Sequence, residues 1–226
     1  MQNIKIELIN HFGIESVLSA IEEPYENSGV TEELLNNIIK AGHTSVLEHA
    51  YFQFKIEGIS RACLIELERH RISSMTVKST RYTLHKMLKE FESISGSCLN
   101  EEVINLIDKY YVNYFKQYGT QNEEMRQVEL LHYVDLFENL KSMYCAYEIF
   151  KKLKQNKIIT ENVQDYLKGF LHESKRTSLQ WTINLRSLRN FLELRQSPKA
   201  HFEIRHLSEL IKKCLEEETA YKKYLM

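Results

Sequence analysis

Proline and glycine are scarce in this chain. Its 226 residues hold 2 Pro and 7 Gly, too few for a many-stranded sandwich with frequent tight turns, and the shortage favours helix. Cysteine is sparse and scattered. Cys63, Cys98, Cys145 and Cys214 form no CxxC pair, so they read as reduced, mostly packed thiols, neither a disulfide framework nor a zinc site. No apolar run approaches the roughly 20 residues of a membrane span. The opening MQNIKIELIN lacks a basic region followed by an apolar stretch, so no secretion signal is read and a cytoplasmic protein is expected. Neither sign of charge dominates: the formal net charge is −1, which gives no global attraction to nucleic acid. GxGxxG, GxxxxGK[ST] and GxSxG are all missing, which removes the usual dinucleotide, nucleoside-triphosphate and hydrolase signatures.

What is present is an ordinary soluble composition, 43% apolar and 27% charged, at a length that suits one domain. With no internal repeat or low-complexity linker, residues 1–226 read as a single domain. Alternation predicts strands at 4–10, 50–58 and 178–183. Apolar spacing of three and four predicts helices at 14–22, 31–40, 59–70, 99–118, 122–155, 184–195 and 200–218. Pro24 is expected to separate the first two helices, Thr31 to start the second, and Gly119 and Ser197-Pro198 to punctuate later ones. The Ser- and Thr-rich stretch 71–98 reads as loops with a strand near Tyr82–Leu84. The fold class is α+β: helix-rich, with a small, mainly antiparallel sheet.

Three segments carry candidate chemistry. From Arg69 to Lys89 stand six cations (Arg69, Arg71, Lys78, Arg81, Lys86, Lys89) and no acid. Guanidinium groups grip phosphate with paired hydrogen bonds, and the hydroxyls of Ser79 and Thr80 add donors. On composition alone, a solvated basic loop after a helix is the better account. In the second segment, Asn184 to Arg195, a helix puts Asn184, Leu188 and Phe191 on one side, with Arg186 and Asn190 on another. An ordinary amphipathic helix with Arg189–Glu193 and Arg186–Asn190 surface pairs is the competing account. The third, Gly42 to His49, holds two His and a Glu, but the spacing fits neither HExxH nor HxxEH, so no metal site is expected. A cap at Thr44 or Ser45, with Glu48 completing a capping box to Ser45, serves as well.

Together these segments resemble the flavin-dependent thymidylate synthases. The family signature, Arg-His-Arg, seven residues, then Ser, stands here as Arg69-His70-Arg71 followed by Ser79, with Arg81-Tyr82 after it. His43 to His49 matches the upstream element, and Asn184 to Arg195, continued by Ala200 to Arg205, matches the second long motif. The resemblance implies an enzyme that methylates dUMP to dTMP. Methylenetetrahydrofolate is the carbon donor and FAD relays hydride from NADPH, in a homotetramer whose active sites lie at subunit interfaces. It implies flavin contacts at Ser45, Arg69, His70, Arg71, Asn184, Arg186 and Asn190. It places dUMP on Glu66, Arg69, Lys78, Ser79, Thr80, Arg81, Lys168 and Arg195, with Arg195 activating the uracil ring.

The chain departs from the family pattern at several points. Thr76 and Val77 stand where Asn and Glu are common, Glu66 where Gln is, Lys168 where Arg is, and Leu171-His172 where Leu-Pro is. A carboxylate at 66 makes sense beside a substrate only if an N–H or an arginine holds it. These changes keep open a dUMP- and flavin-binding relative with a regulatory role. A third reading, an RNA-binding helical protein using the 69–89 stretch, fits poorly with the balanced charge.

Overall fold

A computed structural model describes residues 4–25, 31–94, 98–119 and 122–218. In chain order these form β1 (Lys5–Phe12), α1 (Ile14–Tyr25), α2 (Glu32–Lys40), a 3₁₀ turn (Ser45–His49), β2 (Tyr51–Ser60), α3 (Arg61–Glu68), β3 (Ser73–Val77), α4 (Thr80–Ser93), α5 (Glu101–Tyr110) and α6 (Tyr114–Tyr118). The long α7 (Glu123–Gln155) follows, then α8 (Val163–Tyr166), a second 3₁₀ turn (Leu167–Phe170), β4 (Arg176–Asn184), α9 (Leu185–Arg195) and α10 (Phe202–Glu218). The fold is helix-rich with one small sheet of order β1-β2-β4-β3. β1 runs antiparallel to β2, and β3 antiparallel to β4.

The chain divides into two compact units. Of the described residues, one unit comprises 4–25, 31–59, 63–77 and 178–218, and it holds the ladders of the sheet. β2 alternates as its sequence predicts: Phe52, Phe54 and Ile56 are buried, while Lys55 faces outward between Glu7 and Glu57. Trp181 of β4 and Phe191 of α9 continue that core, with ring centroids 5.1 Å apart near a right angle, the edge-to-face packing aromatic quadrupoles favour. The turn from β1 into α1 requires glycine. Gly13 has φ +101°, and a Cβ there would sit 2.3 Å from the His49 carbonyl oxygen. β1 itself shifts register between Leu8 and Asn10, a bulge on an edge strand.

Of the described residues, the second unit comprises 60–62 and those from 78 to 177. Its core is helix on helix. Leu84, Met87, Leu88 and Phe91 of α4 and Val103, Leu106, Ile107 and Tyr110 of α5 are buried, and so are Tyr133, Leu136, Phe137, Leu140, Met143 and Tyr147 of α7. These spacings of three and four bring one stripe of each helix inward.

Several elements differ from expectation. The stretch 71–98 holds a strand (Ser73–Val77) and a 14-residue helix (Thr80–Ser93), with no strand at Tyr82–Leu84. The apolar series from Leu84 to Phe91 outweighs the polar residues around it. The helix expected over 99–118 breaks at Tyr111. That residue caps α5 and bridges to Lys175, and Asn113 then accepts from Lys116 N–H to start α6. α1 runs through Pro24 to Tyr25, so Pro24 does not lie between the helices. Gly119 does end α6, where a Cβ would meet the Phe115 carbonyl at 2.4 Å.

Candidate functional site

In the sheet-bearing unit, α3 ends where Arg69-His70-Arg71 turns into β3. The turn is closed by His70 N–H donating to Leu67 O at 3.0 Å and by the Ser73 hydroxyl donating to His70 O at 2.8 Å. Asn184 caps the start of α9, its side-chain oxygen accepting the Ser187 N–H at 2.8 Å, and the helix carries Arg195 in its last turn. A cleft of about 430 Å³ gathers Arg69, His70, Arg71, Asn190 and Arg195 from these two motifs, with Ile72, Ser187 and Leu194 completing its wall. Five residues singled out from two distant sequence segments thus share one cleft.

Arg195 is the most constrained of them, with a side chain only 14% exposed. Its Nε donates to His70 Nε2 at 2.9 Å, Nη1 to Glu66 Oε2 at 2.7 Å, and Nη2 to the Glu66 backbone oxygen at 3.0 Å. His70 must be neutral to accept, which puts its proton on Nδ1. Burial first, then the charges of Arg195 and Arg69, push its pKa down to about 4. The ring is also seated edge-on against Phe191 at 5.0 Å, one helical turn before Arg195. Burial raises the Glu66 pKa, but the hydrogen bond and charge of Arg195, then Arg69, outweigh it and hold Glu66 ionised. The arginine that the Glu66 carboxylate needs is therefore present.

A stability consequence follows for His70. Its folded pKa lies below the ordinary unfolded value near 6.5, so the unfolded state binds the extra proton first as pH falls. Folding stability is expected to drop by about 2 kcal/mol between pH 6.5 and about 4 from this group. Urea unfolding of His70→Gln across that window checks it: the slope should flatten relative to the parent protein.

The remaining upstream residues are arranged differently. Ser45 is exposed at the start of the five-residue 3₁₀ turn, and Thr44 makes no side-chain cap there. Glu48 does not complete a capping box. Its carboxylate pairs with Arg186, which replaces the expected Arg186–Asn190 pair. Ser45, Asn184 and Arg186 do not line the cleft.

The other unit holds Lys78, Ser79, Thr80, Arg81 and Lys168. Ser79 is the N-cap of α4 in an extended conformation, its hydroxyl not used for capping, and the first turn contains no acid. Arg81 grips Asp165 through Nε to Oδ1 at 2.9 Å and Nη2 to Oδ2 at 2.9 Å. Lys168 Nζ reaches Asp165 Oδ1 at 2.8 Å. The structure thus joins Arg81 and Lys168 through a carboxylate that sequence reading missed, although Asp165 stands three residues before Lys168, the spacing of helical neighbours. Lys175 was missed as well. It is 3% exposed, with Nζ 4.6 Å from the Tyr110 ring centre. Burial, then Lys78, Arg176 and Arg61, bring its pKa down to about 7.

A serine–histidine–aspartate arrangement also occurs here, with His172 Nδ1 2.8 Å from Ser174 Oγ and Nε2 3.4 Å from Asp135. Ser174 is fully buried and its own N–H also reaches Nδ1, so this is a satisfied turn and not a nucleophile. Among the described residues no group of three His, Cys, Asp or Glu is placed to hold a metal ion, and no helix is long and apolar enough to cross a membrane. Cys63 and Cys214 are buried, Cys98 and Cys145 exposed. Burial first, then the charge of Glu203, pushes the Cys63 thiol pKa up, the opposite of an activated nucleophile.

Comparison with known proteins gives a consistent result. The family described as thymidylate synthase complementing protein matches residues 7–219. The flavin-dependent thymidylate synthase of Wolinella succinogenes is 33% identical over 222 residues, 98% of this chain and 94% of the relative. That of Helicobacter pylori strain 26695 is 37% identical over 179 residues, 79% of this chain and 74% of the relative. A crystal structure of thymidylate synthase X from Helicobacter pylori with FAD and dUMP superposes with a TM-score of 0.69 at 28% identity, covering 99% of this chain and 97% of that one.

Proposed function

The chain belongs to the thymidylate synthase complementing protein family, the flavin-dependent thymidylate synthases, and from that membership we propose that it converts dUMP to dTMP. Methylenetetrahydrofolate supplies the carbon and NADPH the hydride. The chain acts as one functional domain over residues 1–226, in a cytoplasmic homotetramer. The observation that carries the reading is the cleft in which Arg69, His70, Arg71, Asn190 and a fixed Arg195 meet.

The cleft's chemistry suits FAD. Arg69 and Arg71 offer charge to a pyrophosphate, Asn190 and Ser187 offer polar side chains, and the exposed apolar Ile72 and Leu194 flank them. When bound, the flavin provides hydride transfer. The protein's own contribution is electrostatic. Methylation at uracil C5 needs negative charge stabilised at N3 and the carbonyl oxygens. A guanidinium held in place before the substrate arrives does this without reorganisation. Ser79, Thr80 and Arg81 at the α4 N-terminus, with Lys78 and Lys168, hold the dUMP phosphate, where backbone N–H groups and the helix dipole both favour an anion.

The purified protein, given dUMP, methylenetetrahydrofolate and NADPH, should form dTMP. Binding of dUMP without turnover would favour the regulatory relative instead. Arg81→Ala should weaken dUMP binding by about 10- to 100-fold, the effect of losing a charge-assisted hydrogen bond to the phosphate. Isothermal titration checks this, and an unchanged Kd would move the phosphate site elsewhere.

A further inference from the structure

The guanidinium of an arginine has five N–H donors. In Arg195 three are committed within the fold: Nε to His70 Nε2, one on Nη1 to the Glu66 carboxylate, and one on Nη2 to the Glu66 backbone oxygen. One donor remains on each terminal nitrogen, and Arg195 lines the cleft. The three committed bonds come from one turn and a half of chain at the end of α3, so the aim of Arg195 is set by two residues of a different motif.

We propose that Glu66 and His70 are positioning residues for Arg195, and that the Glu66 carboxylate also attenuates the charge that Arg195 presents to the uracil. This deepens the reading in which Arg195 acts on the ring and rests on it. Toward Arg195, His70 acts as an aiming group, because a neutral imidazole accepts a hydrogen bond without cancelling charge. Glu66 does both: its backbone and carboxylate oxygens fix two nitrogens, while its negative charge lies 2.7 Å from Nη1 and opposes an anionic substrate. Arg69, 3.4 Å from the other carboxylate oxygen and 69% exposed, offsets little of that charge because it lies in solvent.

The two roles separate by substitution. Glu66→Gln keeps an oxygen acceptor for Nη1 and the same backbone carbonyl, but removes the counter-charge. Glu66→Ala removes the counter-charge and the side-chain acceptor together. Steady-state kinetics on flavin-loaded enzyme, with flavin content and thermal midpoint measured for each variant, read the difference. Glu66→Gln should lower KM for dUMP by about threefold to tenfold with kcat retained or raised, the effect of removing one nearby like charge. Glu66→Ala should lower kcat by at least about tenfold, the loss of one fixed contact to a group acting in the transition state. His70→Leu should lower kcat like Glu66→Ala but leave the dUMP KM without the fall seen in Glu66→Gln. A purely structural role would lower thermal midpoints while leaving kcat per flavin and KM unchanged in the folded fraction, and that outcome overturns the proposal. Arg195→Ala is the separate control. If it retains turnover, the reading of Arg195 fails. If it is inactive while Glu66→Ala and His70→Leu match the parent, only the positioning proposal fails.

Discussion

Arg195→Lys is expected to lower the rate of dTMP formation by about 100- to 1,000-fold while the protein folds and takes up flavin, the range for losing a preorganised donor in a water-poor site. Lysine keeps the positive charge, so a charge-only account predicts a mild effect. The geometry predicts a severe one. Lysine has no Nε–H for His70 and no planar fork to bond Glu66 through two nitrogens. Its ammonium would collapse onto the Glu66 carboxylate, where Arg195 now places Nη1. Rapid single-turnover measurement at saturating dUMP checks this, because it separates the chemical step from binding.

Lys175→Met is expected to stabilise the protein at pH 7 by about 2 kcal/mol, which for a chain of this length raises Tm by roughly 4–8 °C. Lys175 is buried, with Lys78, Arg176 and Arg61 acting on it and its ammonium over the Tyr110 and Tyr111 rings at 4.6 and 5.7 Å. The ring contacts return on the order of 1–2 kcal/mol, less than the desolvation and repulsion that bring its pKa down to about 7. Because the folded value lies below the unfolded one, the folded state gives up its proton first. Stability contributed by this residue therefore rises as pH goes from about 7 to 10. Methionine fills a similar volume and does not titrate, so the variant should also lose that rise. Thermal melts of both proteins at pH 7 and pH 9.5 check both statements. A variant less stable than the parent at pH 7 would mean that Lys175 is better paired than its surroundings indicate.

Much of the fold was legible because burial imposes a period on the sequence. β2 shows it most plainly, with Phe52, Phe54 and Ile56 on one face. α7 and α9 show the helical equivalent, their buried residues recurring at intervals of three and four. α4 was missed because its apolar stripe begins only at Leu84, after a run of Ser, Thr and cations that carries the chemistry and hides the period. The break at Tyr111 depends on pairing with Lys175, a contact far along the chain that local spacing does not contain.

The site divides in the same way. Arg-His-Arg and the Asn184–Arg195 motif named the residues, and the cleft brings Arg69, His70, Arg71, Asn190 and Arg195 together. Sequence did not reveal what holds them. Asp165 between Arg81 and Lys168, and Glu66 with His70 around Arg195, are pairings of acceptor with cation that only the folded arrangement selects. Glu66 looked anomalous beside a nucleotide site. In the structure it is the partner that holds the half-buried Arg195 guanidinium.

The most direct test is the visible absorption spectrum of the purified protein, recorded before and after adding dUMP. The account predicts a yellow protein with bound-flavin bands, and a spectral change on adding dUMP as the nucleotide packs beside the flavin. A colourless protein that takes up no FAD on titration, and whose spectrum is indifferent to dUMP, would contradict it.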